Sequence, residues 1–294
     1  MSSRLKSVLK KFPWIYLLLK KWKTKRKFQN EIRYLDGKCH SKSSGQSIIF
    51  FSAYRSASTF IGKVLGKMAA ESGLIPIDLD AYFFHLGKGG EWEGGGRNCV
   101  EVTYRSKGFF YGPFRSFNTQ IPNLEGYKIL LVLRDPRDAI VSSYYSMYSH
   151  ALPQSYSKKK TRQVLARRKR RLQQTLDEYV IQKLTPGSGF LRRYIVYHEK
   201  LMGRKNVLFL KYEDIINDFE DSLDRIVQFF EWDVSSGSLD TIKAEANFSV
   251  PAENIFAHKR QVTPDDHKRK LAKETIDCVN PKISDVLKLF DYPV

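Results

Sequence analysis

The stretch Ser47–Leu65 constrains the fold of this chain more than any other. Ile48, Ile49, Phe50 and Phe51 make a short apolar run of strand length. Small and hydroxyl residues around one arginine, Arg55, follow it. An apolar-periodic segment then opens at Phe60 and continues through Ile61, Val64, Leu65 and Met68. This order predicts a buried strand, a tight phosphate-sized loop and a helix. The helix start would present free backbone N–H groups and the positive end of its dipole to an anion. Ser56, Ser58 and Thr59 add hydroxyl donors, and Arg55 adds a planar fork of charged donors. The plain alternative is an ordinary strand–turn–helix with capping residues. It lacks the GxxxxGK(S/T) pattern of a Walker loop, so a plain nucleotide triphosphatase is not indicated.

The alternation continues along the chain. Ile129–Leu133 is a continuous apolar run, as expected of a strand covered on both faces. Arg134-Asp135-Pro136-Arg137-Asp138 closes it, and a helix is predicted from Pro136 with Ile140, Val141 and Tyr144 inward. Arg134 then falls at the carboxyl end of a strand, where open α/β sheets bind ligands. Ser142 lies eight residues on. The plain alternative is a surface Arg134–Asp138 pair. Val207–Leu210 is another buried-strand run, ended by Lys211-Tyr212-Glu213-Asp214 and followed by a helix with Leu223, Ile226 and Phe230 inward. Ile75–Leu79 has short-strand character, with Pro76 marking an edge or a loop. Gln173–Leu184 and Phe190–Met202 read as helices. The fold class is therefore α/β, one domain with a central parallel β-sheet flanked by helices. The glycine-rich stretch Gly87–Gly96 is expected near a substrate entrance, and the aromatic cluster Phe109–Arg115 as core or pocket wall.

Charge narrows the partners. Fifty Lys and Arg against 31 Asp and Glu leave a net charge of +19, which implies anionic partners. Lys158–Arg171 concentrates it, with nine basic residues in fourteen, and reads as a solvated helix face or a polyanion patch. No aromatics interleave there, so the stacking platform of single-strand nucleic-acid binders is missing and nucleic acid is not expected as a partner. Three scattered cysteines indicate neither a disulfide framework nor a zinc site and fit a reducing compartment. Residues 1–46 read as a basic leader and connector, ahead of a domain over 47–294. The apolar run Phe12–Leu19 falls far short of the roughly 20 residues that span a bilayer. Lysines rather than a cleavage site follow it. Residues 1–28, with Trp14 and Trp22, either rest on an anionic membrane surface or form a partly disordered basic leader. The expected location is cytoplasmic, with membrane association as the variant.

Together these motifs resemble the sulfotransferase family that uses 3′-phosphoadenosine 5′-phosphosulfate (PAPS). Tyr54-Arg55-Ser56-Ala57-Ser58-Thr59-Phe60 looks like its 5′-phosphosulfate loop, in the arginine form common among carbohydrate sulfotransferases. Arg134 through Ser142 looks like its 3′-phosphate motif. Lys211-Tyr212-Glu213-Asp214 is similar to the strand end whose tyrosine lies beside the adenine, and Asn247-Phe248 sits where a Ser-Phe pair contacts that ring. Arg260–Lys268 is a degraded likeness of the C-terminal loop, matching only at Arg260, Asp266 and Lys268.

The resemblance implies a P-loop-like fold and in-line transfer of a sulfuryl group from PAPS to an acceptor hydroxyl, with no metal. The acceptor implied first is a glycan or glycolipid; a small alcohol or phenol is the other. Competing readings are a P-loop-like nucleotide kinase and a non-enzymatic polyanion- or membrane-binding protein. By the resemblance, Arg55 is catalytic, and Ser56, Ala57, Ser58, Thr59 and Phe60 form the cofactor loop. Arg134, Ser142 and Arg260 would hold the 3′-phosphate, with Tyr212 and Phe248 at the adenine. The sequence departs from the family at the general base. No histidine stands between Glu101 and Asn123, where many members carry theirs. Candidates are His85, which borders the glycine-rich stretch, and Glu101, with Asp80 and Asp78 behind them.

Overall fold

Five strands form one sheet: β1 (Ile48–Ser52), β2 (Ile75–Ile77), β3 (Phe109–Phe114), β4 (Lys128–Leu133) and β5 (Val207–Lys211). Their spatial order is β2-β3-β1-β4-β5, and every pairing is parallel. The computed structural model describes residues 13–88, 100–150, 152–153, 155–246, 250, 252–257, 260 and 262–294. Successive residues of a strand point to opposite faces, and here both faces are covered. Ile49 and Phe51 of β1 join one core cluster with Ile129, Leu131 and Leu133 of β4. Ile48, Phe50, Leu130 and Val132 join the other. That is why these segments read as continuous apolar runs instead of alternating ones. β2 takes the edge, where Pro76 lacks only an outward donor. The aromatic cluster is β3, buried along its whole length between β1 and β2.

The first face is covered by α5 (Pro136–Ser149), α7 (Leu176–Lys183), α8 (Gly189–Leu201) and α13 (Lys273–Lys288). The second is covered by α3 (Ser58–Glu71), α10 (Phe219–Phe230) and α11 (Ser236–Glu245). Short helices α9 (Tyr212–Asn217) and α12 (Asp266–Lys270) close the carboxyl end of β5 and the C-terminal loop. Side chains start α5 and α7 on the first face: Asp135 accepts from the Arg137 N–H, and Thr175 and Glu178 form a capping box on α7.

Ahead of β1 lie α1 (Pro13–Lys27) and α2 (Gln29–Leu35). The chain from Phe28 on shares the core: Phe28, Tyr34 and Cys39 are buried, and the Tyr34 and Tyr111 hydroxyls are 2.8 Å apart. α1 leans on α4 (Leu79–His85), where Thr24 Oγ1 lies 2.8 Å from His85 Nε2. The basic run forms α6 (Lys158–Arg171), a helix with no buried residue.

Candidate active site

β1 and β4 are neighbours in register, Ser52 opposite Val132, and the Ala53 N–H donates to the Val132 carbonyl at 3.0 Å. The loops that follow leave the sheet side by side, one carrying Arg55 and the other Arg134. In the first loop Arg55 (φ 70°) and Ala57 (φ 52°) both adopt the left-handed region. For residues with a Cβ this costs about 1–2 kcal/mol each, and such strain clusters at functional sites. The turn it creates starts α3 at Ser58 with no side-chain cap, so the first N–H groups stay available to a ligand. Ser56 is fully buried and its Oγ has no partner among the described residues.

Arg134 lies behind that loop, 2% exposed. Its Nη1 donates to the Arg55 carbonyl at 3.2 Å, and its Nη2 stands 3.7 Å from Asp138 Oδ2. The guanidinium carbon sits 4.4 Å from the centre of the Tyr212 ring, and Nε has no partner. Arg55 reaches across to α5: its Nε donates to Ser142 Oγ at 3.1 Å and its Nη1 to His150 Nε2 at 3.0 Å. Tyr212 donates its hydroxyl to the Val262 carbonyl at 2.8 Å. Arg260, also buried, pairs with Glu253 and Asp266, and its guanidinium lies 4.3 Å from the centre of the Tyr145 ring. The fold thus gathers Arg55, Arg134, Ser142 and Tyr212 at the carboxyl ends of β1 and β4, with Ser56 in the same loop as Arg55 and Arg260 near enough to add its field.

Burial, then the positive charges of Arg134 and Arg260, push Arg55 down to about 10, which leaves it protonated at neutral pH. Burial alone would raise Asp138. The hydrogen bonds from His267 and the charge of Arg134 outweigh it and hold the carboxyl down at about 2.

Glu213 goes the other way. Burial raises it from 4.5 to about 7, although its Oε1 accepts from the Asp135 N–H at 2.9 Å. A carboxyl with a raised folded-state pKa stabilises most below its unfolded value, and that stability is lost as pH rises through the folded value. The loss within the window approaches about 1.4 kcal/mol per pH unit. Asp78, raised to about 7 by burial, acts with the same sign. Glu213→Gln is therefore expected to flatten the fall in melting temperature between about pH 5 and pH 7. Thermal unfolding across that range checks it, and parallel curves for the two proteins would refute it.

Other candidates find different settings. Thr59 is exposed, and its Oγ1 accepts from Arg115 Nη2 at 3.3 Å. Phe60 packs against Phe219 at 6.0 Å between ring centres. His85 bonds Thr24 and packs its ring 5.1 Å from that of Phe28. Glu101 is exposed ahead of β3. Asp80 holds Arg115, at 3.1 Å from its N–H and 3.5 Å from Nη1. Asp78 caps α4 through the Ala81 N–H at 2.9 Å. Asn247 and Phe248 lie outside the described residues.

Two residues were missed in the sequence. His150 caps the end of α5, and Arg134, Ser142 and His150 follow one another at intervals of eight, the second of them about two turns along α5. That spacing was the available signal. Arg115 follows β3 directly, a cation at the carboxyl end of the strand beside β1.

The sulfotransferase domain family model matches residues 117–280. The match includes Arg134, Ser142, His150, Tyr212 and Arg260, and leaves the Arg55 loop to stand on its geometry. The 3-alpha-hydroxysteroid sulfotransferase of Cavia porcellus is 26% identical over 133 residues, 45% of this chain and 40% of that protein. Sulfotransferase 6B1 of Danio rerio is 26% identical over 128 residues, 43% of this chain and 38% of that protein. The aligned stretch thus spans about two fifths of these relatives. In fold, the chain is similar to mouse sulfotransferase SULT7A1 complexed with PAP, with a TM-score of 0.53, 16% identity, and coverage of 90% of this chain and 91% of that one. With more than half of its length matched by the family model, the chain belongs to the sulfotransferase domain family.

Proposed function

We propose that the chain transfers a sulfuryl group from PAPS to an acceptor hydroxyl. What carries the reading is the cluster at the carboxyl ends of β1 and β4: Arg55 bonds Ser142 beside the α3 start, and Arg134 bonds the Arg55 carbonyl from behind the loop. The buried Ser56 Oγ and Arg134 Nε lack partners among the described residues, as donors would that serve a ligand anionic at two positions. When bound, PAPS supplies the sulfuryl group and leaves as adenosine 3′,5′-bisphosphate.

Within this reading Arg134 and Ser142 hold the 3′-phosphate, and Arg260 adds charge behind them. Ser56, Ala57, Ser58, Thr59 and Phe60 shape the loop that holds the 5′ end, and Arg115 reaches the same end through Thr59. Tyr212 lies beside the adenine. Arg55 stabilises the charge that develops on the bridging oxygen as its bond to sulfur breaks; such transfers need electrostatic help more than covalent help. The acceptor oxygen forms the new bond to sulfur and gives up its proton. What supports His150 as the proton acceptor, over His85 and Glu101, is its bond to Arg55. As Arg55 turns to the sulfuryl group it releases the Nε2 lone pair, and an imidazole takes a proton readily near neutral pH.

The acceptor class this reading favours is a glycan or glycolipid hydroxyl, with a small alcohol or phenol as the other. The test pairs retention on immobilised adenosine 3′,5′-bisphosphate with transfer of radiolabelled sulfate from PAPS to a panel of glycans, glycolipids, alcohols and phenols. Retention that Arg134→Ala abolishes, with transfer to at least one acceptor, is expected. His150→Ala should keep retention and lose transfer by about 10²–10⁴-fold. Absence of retention, or retention unchanged in Arg134→Ala, overturns the proposal.

A further inference from the structure

Large apolar side chains left in solvent gather on one part of this surface. Among the described residues, five of the ten such are Leu18 (57% exposed), Trp22 (56%), Phe84 (51%), Leu86 (38%) and Leu165 (51%). They belong to α1, the end of α4, and α6, and hydrogen bonds tie these elements together. Thr24 of α1 bonds the His85 ring, while Ser155 Oγ donates to the His85 carbonyl at 2.6 Å. Lys160 Nζ donates to the Gly87 carbonyl at 2.8 Å. Leu18 and Trp22 are one turn apart, roughly opposite the Thr24 side by which α1 is held.

Cations surround the apolar residues. Lys21, Lys25 and Arg26 on α1 and Lys158, Lys159 and Arg162 on α6 are all exposed, and none pairs with a carboxylate among the described residues. The Arg26 guanidinium carbon stands 5.6 Å from the centre of the Trp22 ring, an amphipathic pair suited to a headgroup layer. A free polyanion would account for the charge and leave the apolar residues unexplained. A second copy would cover the apolar residues and set two chains of charge +19 against each other. An anionic lipid surface meets both features, because interfacial helices combine buried apolar area with attraction to anionic headgroups.

We propose that α1, the end of α4 and α6 form one face that docks on an anionic lipid bilayer. The face adjoins the candidate site: Arg168 of α6 donates to the carbonyl of His150 at 2.6 Å, and the His150 ring meets Arg55. If sulfuryl transfer takes place there, docking would present that site to a hydroxyl carried by a lipid headgroup. That consequence rests on the proposed activity, whereas the docking itself does not.

The test is co-sedimentation of the full chain with vesicles of phosphatidylcholine containing roughly a third phosphatidylserine, against pure phosphatidylcholine. Nucleotide retention, measured in parallel, reports separately on the proposed activity. Binding is expected to the anionic vesicles only, to weaken with salt, and to fall about tenfold or more in both Leu18→Ser/Trp22→Ser and Lys158→Gln/Lys159→Gln/Arg162→Gln. Circular dichroism checks that both variants fold. Failure to sediment, equal binding to the neutral vesicles, or an unaffected Leu18→Ser/Trp22→Ser variant overturns the proposal. Retention on heparin without vesicle binding would do so too, in favour of a free polyanion.

Discussion

Arg55→Ala is expected to lower sulfuryl transfer by about 10³-fold or more while retention on immobilised adenosine 3′,5′-bisphosphate falls less than about tenfold. The asymmetry follows from the layout of the site. Arg134 and Ser142 remain to hold the 3′-phosphate, and Arg134 loses a cationic neighbour whose charge opposes its own. What disappears is the one guanidinium whose Nε and Nη1 already lie along the line from Ser142 to His150. Alanine takes the left-handed backbone at residue 55 no worse than arginine does, so the variant should fold with near-native stability. Arg55→Lys should fall between, since an ammonium is a point charge without the planar fork. The two assays separate the roles: rate lost without binding marks a contact made in the transition state. Equal loss of both would mark Arg55 as a ground-state ligand instead.

The two anion stations could be read from the sequence because β1 and β4 are buried on both faces. Their continuous apolar runs locate the strand ends, and a strand end in a parallel sheet is where a ligand-binding loop begins. Arg134 follows β4 directly and Ser142 lies on α5, which starts at Pro136, so one short local connection fixes where both stand. The Arg55–His150 bond is different in kind. It joins residues 95 apart, and it depends on α5 running as far as Ser149 and on which way its last residue turns. Nothing local says which of the six histidines meets Arg55. His85 drew attention through the glycine-rich stretch that follows it. Its bond to Thr24 depends on α1 folding back over α4, a contact between segments 61 residues apart. The aromatic run of β3 was ambiguous for a related reason: a strand between two neighbours and a pocket wall use the same residues. Arg260 was legible only as a family likeness, because its acidic partners Glu253 and Asp266 stand seven residues before it and six after it, a pair of spacings that fits no one helix or strand period.

The second large effect is on stability. Asp138→Ala is expected to lower it by about 3–5 kcal/mol, the usual result of removing one partner from a buried charge cluster. Asp138 is fully buried and ties α5 to α12: Oδ1 accepts from the His267 N–H at 2.8 Å and lies 2.6 Å from His267 Nδ1, while Oδ2 faces Arg134. Alanine leaves the buried Arg134 guanidinium without its carboxylate, and the His267 amide without an acceptor, so the melting temperature should drop by roughly 10 °C. Asp138→Asn keeps an acceptor for that amide and should cost less. The sign of the pH dependence is fixed by the depressed pKa. A carboxyl held at about 2 contributes its full stability above its unfolded value near 4, and loses it only as pH falls towards 2. Wild type and Asp138→Asn should therefore differ by a constant amount from about pH 5 upward and converge in acid. Adenosine 3′,5′-bisphosphate adds a further discrimination. If Asp138 and a 3′-phosphate share Arg134, the ligand should raise the melting temperature of Asp138→Asn at least as much as that of wild type, because ligand stabilisation grows with affinity. A smaller rise would mean that the carboxylate orients Arg134 for the ligand instead of competing with it, and the decisive contact would then be the charged hydrogen bond to α12 that holds Asp138 in place.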